Sequence, residues 1–162
     1  MTTGEVIVLV AVNILAWLVI HLSLPWIFTR MPAAWFRPGE WIFRPPRWEG
    51  DGGIYRRLFL VQRWKNLLPD GAALFKGGFR KKALRRRDPG YLERFRLETC
   101  RGEAVHWAVL AASGLFFIWN PPWAGWVMVA YGTAANLPCI IVQRYNRLRL
   151  ERIIPRRDKM TR

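Results

Sequence analysis

The chain has 162 residues, 52% hydrophobic and 23% charged, and its 26 Lys and Arg against 11 Asp and Glu leave a formal charge of +15. All the bases fall within residues 30–101 and 144–162, while Val6 to Phe28 and Val105 to Gln143 carry neither base nor acid. This segregation excludes the even apolar spread of an ordinary soluble domain and predicts an all-α integral membrane protein, one membrane domain over residues 1–162.

Val6 to Phe28 supplies 23 uncharged residues, enough for a first span (6–28), since a hydrocarbon core takes roughly 20 helical residues. A cleaved signal peptide would carry a basic n-region, whereas Met1 to Glu5 offers only Glu5. Asn13 and His21 are the strongly polar residues of this span, and a helix-packing hydrogen bond is the expected use of His21. Thr29 to Arg47 mixes Trp35, Phe36, Trp41, Ile42 and Phe43 with arginines and prolines and reads as irregular chain in the membrane interface. After a turn cluster at Glu49 to Gly53, the period of Ile54 to Leu68 predicts an amphipathic helix on the membrane surface. Leu68-Pro69-Asp70-Gly71 closes it. Phe75 to Arg87 is then rich in bases and free of acids, fitting a solvated lipid-attracting patch as well as a phosphate site.

Asp88-Pro89-Gly90 marks the start of a long helix that leads into a second span (103–119). Asn120-Pro121-Pro122 ends that helix and turns the chain, and a third span (123–142) precedes a basic tail (143–162). The prediction is therefore three transmembrane helices plus interfacial amphipathic helices on the cytoplasmic side. The 18 bases between the first two spans and the 8 after the third place segment 29–102 and the C-terminus in the cytoplasm, with the N-terminus and the Asn120 to Pro122 turn outside a multi-pass cell (inner) membrane. Trp26, Trp35, Trp41, Trp48, Trp119 and Trp123 lie near the boundaries, while Trp17 and Trp126 are read as packing residues. Cys100 and Cys139 give no disulfide framework, and two Cys with two His show no metal-ligand spacing. Spans beside the bases favour membrane lipids and phosphate-bearing substrates as partners over nucleic acid.

Glu98, Arg101, Glu103 and His106 lie within nine residues where the long helix enters its uncharged part. An ionisable group at that depth is a functional candidate whose partner must be named. Glu103, three residues before His106, is close enough on a helix to orient or charge the imidazole; a His hydrogen-bonded to a neighbouring helix and doing no chemistry is the competing reading. Gln143-Arg144-Tyr145-Asn146-Arg147 follows the third span and fits headgroup anchoring and phosphate binding alike.

Three stretches resemble one family: Arg63-Trp64-Lys65 through Leu68-Pro69-Asp70-Gly71; Glu98-Thr99-Cys100-Arg101-Gly102-Glu103 through His106-Trp107; and Asn136-Leu137-Pro138 through Ile141-Val142-Gln143-Arg144-Tyr145-Asn146-Arg147-Leu148-Arg149-Leu150. They are similar, in order and spacing from about Trp35 to Leu150, to the glycosyl-4,4'-diaponeurosporenoate acyltransferases of staphyloxanthin-type carotenoid synthesis. The resemblance implies transfer of a fatty acyl group, with acyl-CoA as co-substrate and no permanently bound cofactor, to a hydroxyl of a glycosylated lipid or carotenoid. Fitted to that reaction, His106 is the candidate base, with Glu103 or Glu98 orienting it and Asp70 as an alternative partner. Arg144, Asn146 and Asn136 are candidate oxyanion donors, and Arg63, Lys65 and Arg147 candidate phosphate ligands. Arg101, Gln143 and Tyr145 complete the substrate-binding set. With no Ser or Cys beside a His, direct transfer is expected rather than a covalent acyl-enzyme. The competing class is a non-enzymatic scaffold or subunit that binds anionic lipids through its basic loops. Three spans enclose little core, and a homo-oligomer is one way to complete a lipid site.

Overall fold

The computed structural model describes residues 2–50, 52–68, 79 and 88–158, and among these every regular element is helical. Thr2 opens α1 (Thr3–Arg30) with a capping box, its hydroxyl accepting from the Glu5 amide while the Glu5 carboxylate accepts from the Thr2 amide. Asp88 caps α4 (Pro89–Ala112) by accepting from the Tyr91 amide, and Pro89 sits at the first turn, where a missing N–H costs nothing. The 3-10 segment Ser113–Ile118 continues α4 to the Asn120-Pro121-Pro122 turn, and the chain returns as α5 (Pro122–Asp158). The expected helical hairpin is present, with α4 and α5 antiparallel.

α1 packs on this hairpin. Trp17, Val109 and Phe116 form their common apolar core, with Met128 of α5 against it and the Trp17 indole N–H donating to the Met128 sulfur. At Gly132 of α5 a Cβ would stand 3.0 Å from the Trp17 ring and 3.1 Å from Ser113 Cβ, so the three helices close over a position without a side chain. Below the bundle, three single 3-10 turns (Ala33–Trp35, Trp41–Phe43, Arg47–Glu49) replace the irregular segment. Phe36 and Phe43 pack on Cys100 of α4 with Phe28 of α1 and Met31, which caps that helix.

Two helices are long and apolar enough to cross a membrane, α1 and the Pro122–Ile154 part of α5. The expected third span over 103–119 does not qualify: its helix carries the charges of 98–103, and after Ser113 it tightens into the 3-10 form. Only Val105 to Ala112, about two turns, is apolar α-helix. The amphipathic helix expected over Ile54 to Leu68 is also broken, into α2 (Gly53–Arg57), α3 (Val61–Trp64) and a 3-10 turn at Lys65–Leu67, with Leu60 in the left-handed region at φ 48°. Tyr55 and Val61 would lie about 120° apart on one continuous helix. The break lets both pack against Tyr145 and Leu148 of α5. Trp126, read as a packing residue, is 66% exposed. His21 stacks on Trp17 and meets the Tyr131 edge, and its buried Nε2 has no hydrogen-bond partner, so rings rather than a hydrogen bond position it.

At the far end of the bundle, Asn13 and Asn120 exchange amide hydrogen bonds of 2.8 and 2.9 Å, and the Trp119 indole also donates to Asn13 Oδ1. Both asparagines are buried, and an unmatched amide in an apolar site costs about 1–3 kcal/mol. Asn13→Leu and Asn120→Leu are each expected to lower stability by about 1–2 kcal/mol, and the double variant by less than their sum. Thermal denaturation in detergent checks this, and additive losses would dismiss the pair.

Candidate active site

The charged end of the hairpin is built on Glu103, whose carboxylate is fully buried. One oxygen accepts from Arg144 Nε at 2.6 Å and from the Trp107 indole at 3.3 Å, and the other accepts from Arg147 Nη1. Arg144 also donates to Glu49, and Arg147 donates to the Phe43 carbonyl and makes a longer contact with Cys100 sulfur. Arg144 and Arg147 lie three apart on α5 and face α4 together. Two carboxylates and two guanidinium groups thus form a charge-balanced quartet, buried but for the edge of Arg144, that joins α4, α5 and the interfacial turns. Glu98 pairs with Arg101 at 3.1 Å, and Arg101 donates to the Met31 carbonyl, tying α4 to the end of α1.

One turn above the quartet, His106 Nδ1 and Asn136 Oδ1 are 2.9 Å apart, and Asn136 Nδ2 donates to the Gly132 carbonyl. A carbonyl only accepts, so that second bond fixes the Asn136 amide with its oxygen toward the imidazole. Nδ1 then carries a proton and donates to that oxygen. Asn136 is therefore placed to hold the ring rather than to donate to an oxyanion. Arg144 likewise spends Nε and Nη1 on Glu103 and Glu49. Arg147, expected to hold a phosphate, is fully enclosed, because the quartet sits under Phe43 and against Cys100.

Gln143 lies two turns from Asn136 on the same face of α5 and has a buried Oε1 without a hydrogen-bond partner. Asn146 is half-buried in the next turn. The Tyr145 hydroxyl accepts from Gln62, and Lys65 lies 5.6 Å from the Tyr145 ring. Arg63, beside them on α3, is exposed. Asp70 and most of the Phe75 to Arg87 cluster lie outside the described residues. An apolar groove of about 250 Å³ runs beneath Trp64 along Thr133, Ala134, Leu137, Pro138 and Ile141. It opens across α5 from Asn136, because these positions point about 130° away from it at 100° per residue.

Sequence reasoning missed Glu49, which it placed in a turn. The available signal was an acid set beside Gly50 and Gly52, both of which take positive φ, and a Cβ on Gly52 would stand about 3.1 Å from the Leu148 side chain. Burial and the adjoining Glu49 carboxylate push the Tyr55 hydroxyl upward. Burial pushes the Cys100 thiol up to about 11.

A sequence profile described as glycosyl-4,4'-diaponeurosporenoate acyltransferase matches residues 38–156, a span that holds the quartet and the His106 to Asn136 bond. The chain belongs to this family of acyltransferases. Proteins of that name from Staphylococcus aureus, in strains bovine RF122 / ET3-1 and COL, are each 33% identical to it over 138 residues, covering 85% of this chain and 83% of theirs. The relative from strain Newman is 31% identical over the same coverage. No solved structure matches. Acyltransferase activity, expected from the resemblance, is thereby established for the chain at the level of its family.

Breaking a buried ion pair by removing one partner costs about 3–5 kcal/mol. Glu103→Gln is expected to lose that much, with Arg147→Lys failing to reproduce three bonds in three directions; the folded fraction after detergent extraction reads the result. The Cys100 thiol supplies a second measurement. In the unfolded chain it ionises near 9.0 and in the folded protein near 11, so its contribution to stability is complete below the first value and is lost as pH rises through that interval. At pH values near 9 Cys100 is expected to resist alkylation until the protein is denatured.

Proposed function

We propose that this acyltransferase moves a fatty acyl group from a coenzyme A thioester to a sugar hydroxyl of a glycosylated carotenoid at the cytoplasmic face of the cell membrane, with His106 as general base. Two kinds of support bear on the substrates. The relatives' names specify a glycosylated diaponeurosporenoate, and the two long apolar helices suit an acceptor and an acyl chain that live in lipid. The observation that carries the catalytic assignment is the Gly132 to Asn136 to His106 chain of hydrogen bonds, which orients the imidazole where a charge-free helix meets a polar layer.

In this reading, Nε2 takes the proton of the acceptor hydroxyl as its oxygen attacks the thioester carbonyl carbon. The tetrahedral intermediate collapses, the carbon–sulfur bond breaks, and the imidazolium returns the proton to the departing thiolate. Gln143 Oε1 receives a sugar hydroxyl, since a buried acceptor lacking a protein partner gains most from one. Asn146 is the remaining candidate on α5 for the developing oxyanion. Exposed Arg63 and neighbouring Lys65 hold the phosphates of the donor, taking over the part expected of Arg147. Glu103 acts through structure, keeping α4 and α5 in register one turn below the imidazole.

His106→Ala is expected to reduce acyl transfer about 10²- to 10⁴-fold in membranes supplied with acyl-CoA and the glycosylated carotenoid, at unchanged levels of folded protein. Turnover near that of the native chain would remove His106 from the role.

A further inference from the structure

The Asn13 to Asn120 clamp fixes how far the hairpin reaches along α1, and the two do not end together. Asn13 lies eight residues beyond Glu5, about 12 Å along the axis at 1.5 Å per residue. The hairpin turn is held at the level of Asn13 by the paired amides. Above it, residues 2–8 and 10–12 of α1 are exposed, and Ile7 and Val8 are 64% and 63% uncovered.

α1 itself sets the depth scale. Its uncharged stretch, Val6 to Phe28, measures about 33 Å, close to the roughly 30 Å of a hydrocarbon core. It is bracketed by Glu5 at one end and by Arg30 stacked on Trp26 at the other. With α1 seated across the bilayer, the Asn120-Pro121-Pro122 turn falls about 12 Å short of the far surface.

The turn is made for such a place. It has no charge, and Ile118 and Trp123 at its sides are 76% and 68% exposed. Pro121 and Pro122 contribute no N–H. The Asn120 amide donates to the Phe116 carbonyl, and the Ala124 and Gly125 amides both donate to the Pro121 carbonyl. The Asn120 side chain is satisfied by Asn13 and again by the Phe116 carbonyl. Backbone polar groups in hydrocarbon must be satisfied internally, and these bonds, with the matched Asn120 side chain, serve that requirement.

We infer that the α4 to α5 hairpin is re-entrant: it enters the bilayer from the charged side, turns within the hydrocarbon of the far leaflet and returns, so that α1 alone crosses from face to face. The surface above the turn, including Val6 to Val12 of α1, is covered by lipid tails. This replaces the sequence expectation of a turn outside the membrane, and it rests on the membrane reading proposed above.

The test compares thiol labelling from the far side in intact cells, with a charged, membrane-impermeant maleimide, in Thr3→Cys, Ile118→Cys and Trp123→Cys. Labelling is repeated after detergent solubilisation to show that each thiol is competent, and the native chain with Cys100 and Cys139 measures the background. Thr3→Cys is expected to label, and Ile118→Cys and Trp123→Cys to label roughly tenfold less until detergent is added, because a thiol in hydrocarbon does not form the reactive thiolate. Equal labelling of all three would overturn the inference and assign the cover on α1 to protein instead of lipid. Failure of Thr3→Cys to label would overturn it as well, since α1 would not reach the far face. Alkaline extraction of the native chain from membranes is the separate control: release into the supernatant would sink the membrane reading itself.

Discussion

Two guanidinium groups of α5 converge on one carboxylate of α4, and nearly everything at the charged end of the molecule is positioned by that meeting. Glu103 is fully buried, and neither it nor Arg147 would be tolerated there alone, because an unpaired charge without water is far more expensive than a paired one. Their bonds reach across 41 and 44 residues of chain, fixing the register of two long helices. Through Arg144 to Glu49 and Arg147 to the Phe43 carbonyl, the same charges hold the interfacial 3-10 turns against the hairpin. The imidazole one turn above inherits this order.

The molecule has two ends of opposite character. At one, charges are numerous, and those that are buried are paired. At the other, the polar groups are amides, fewer and individually matched, and everything around them is apolar. The groove under Trp64 and the Asn136 face lie on different sides of α5. The helix that carries the polar face of the candidate site is thus also the wall of an apolar groove, and the two features share residues of one turn without sharing a surface.

Much of this could be read from residue order because it depends on local rules. Charge-free runs marked the apolar helices, Asp88-Pro89 marked the start of α4, and Asn120-Pro121-Pro122 marked the hairpin. Reading a third span into residues 103–119 gave too much weight to absence of charge, since the 3-10 tightening from Ser113 leaves only about two turns of apolar α-helix there. The partners of Glu103 were a different matter. His106 stands three residues away and looked like the natural neighbour, whereas Arg144 and Arg147 come within reach only after the hairpin closes. Glu49 was illegible for the same reason: its role exists only where the turn meets α5. Tyr55 and Val61 look out of phase on one helix, and only their common contact with Tyr145 and Leu148 explains the break at Leu60.

Gly132 joins two properties that are usually separable. Its missing side chain admits the Trp17 ring and Ser113 to van der Waals distance, and its carbonyl anchors the amide that sets the imidazole tautomer. A methyl group at that position would press on Trp17 of α1 and on Ser113 of the 3-10 segment at once. The tightness of the three-helix seam and the anchor of the Asn136 amide that faces His106 thus meet at one residue.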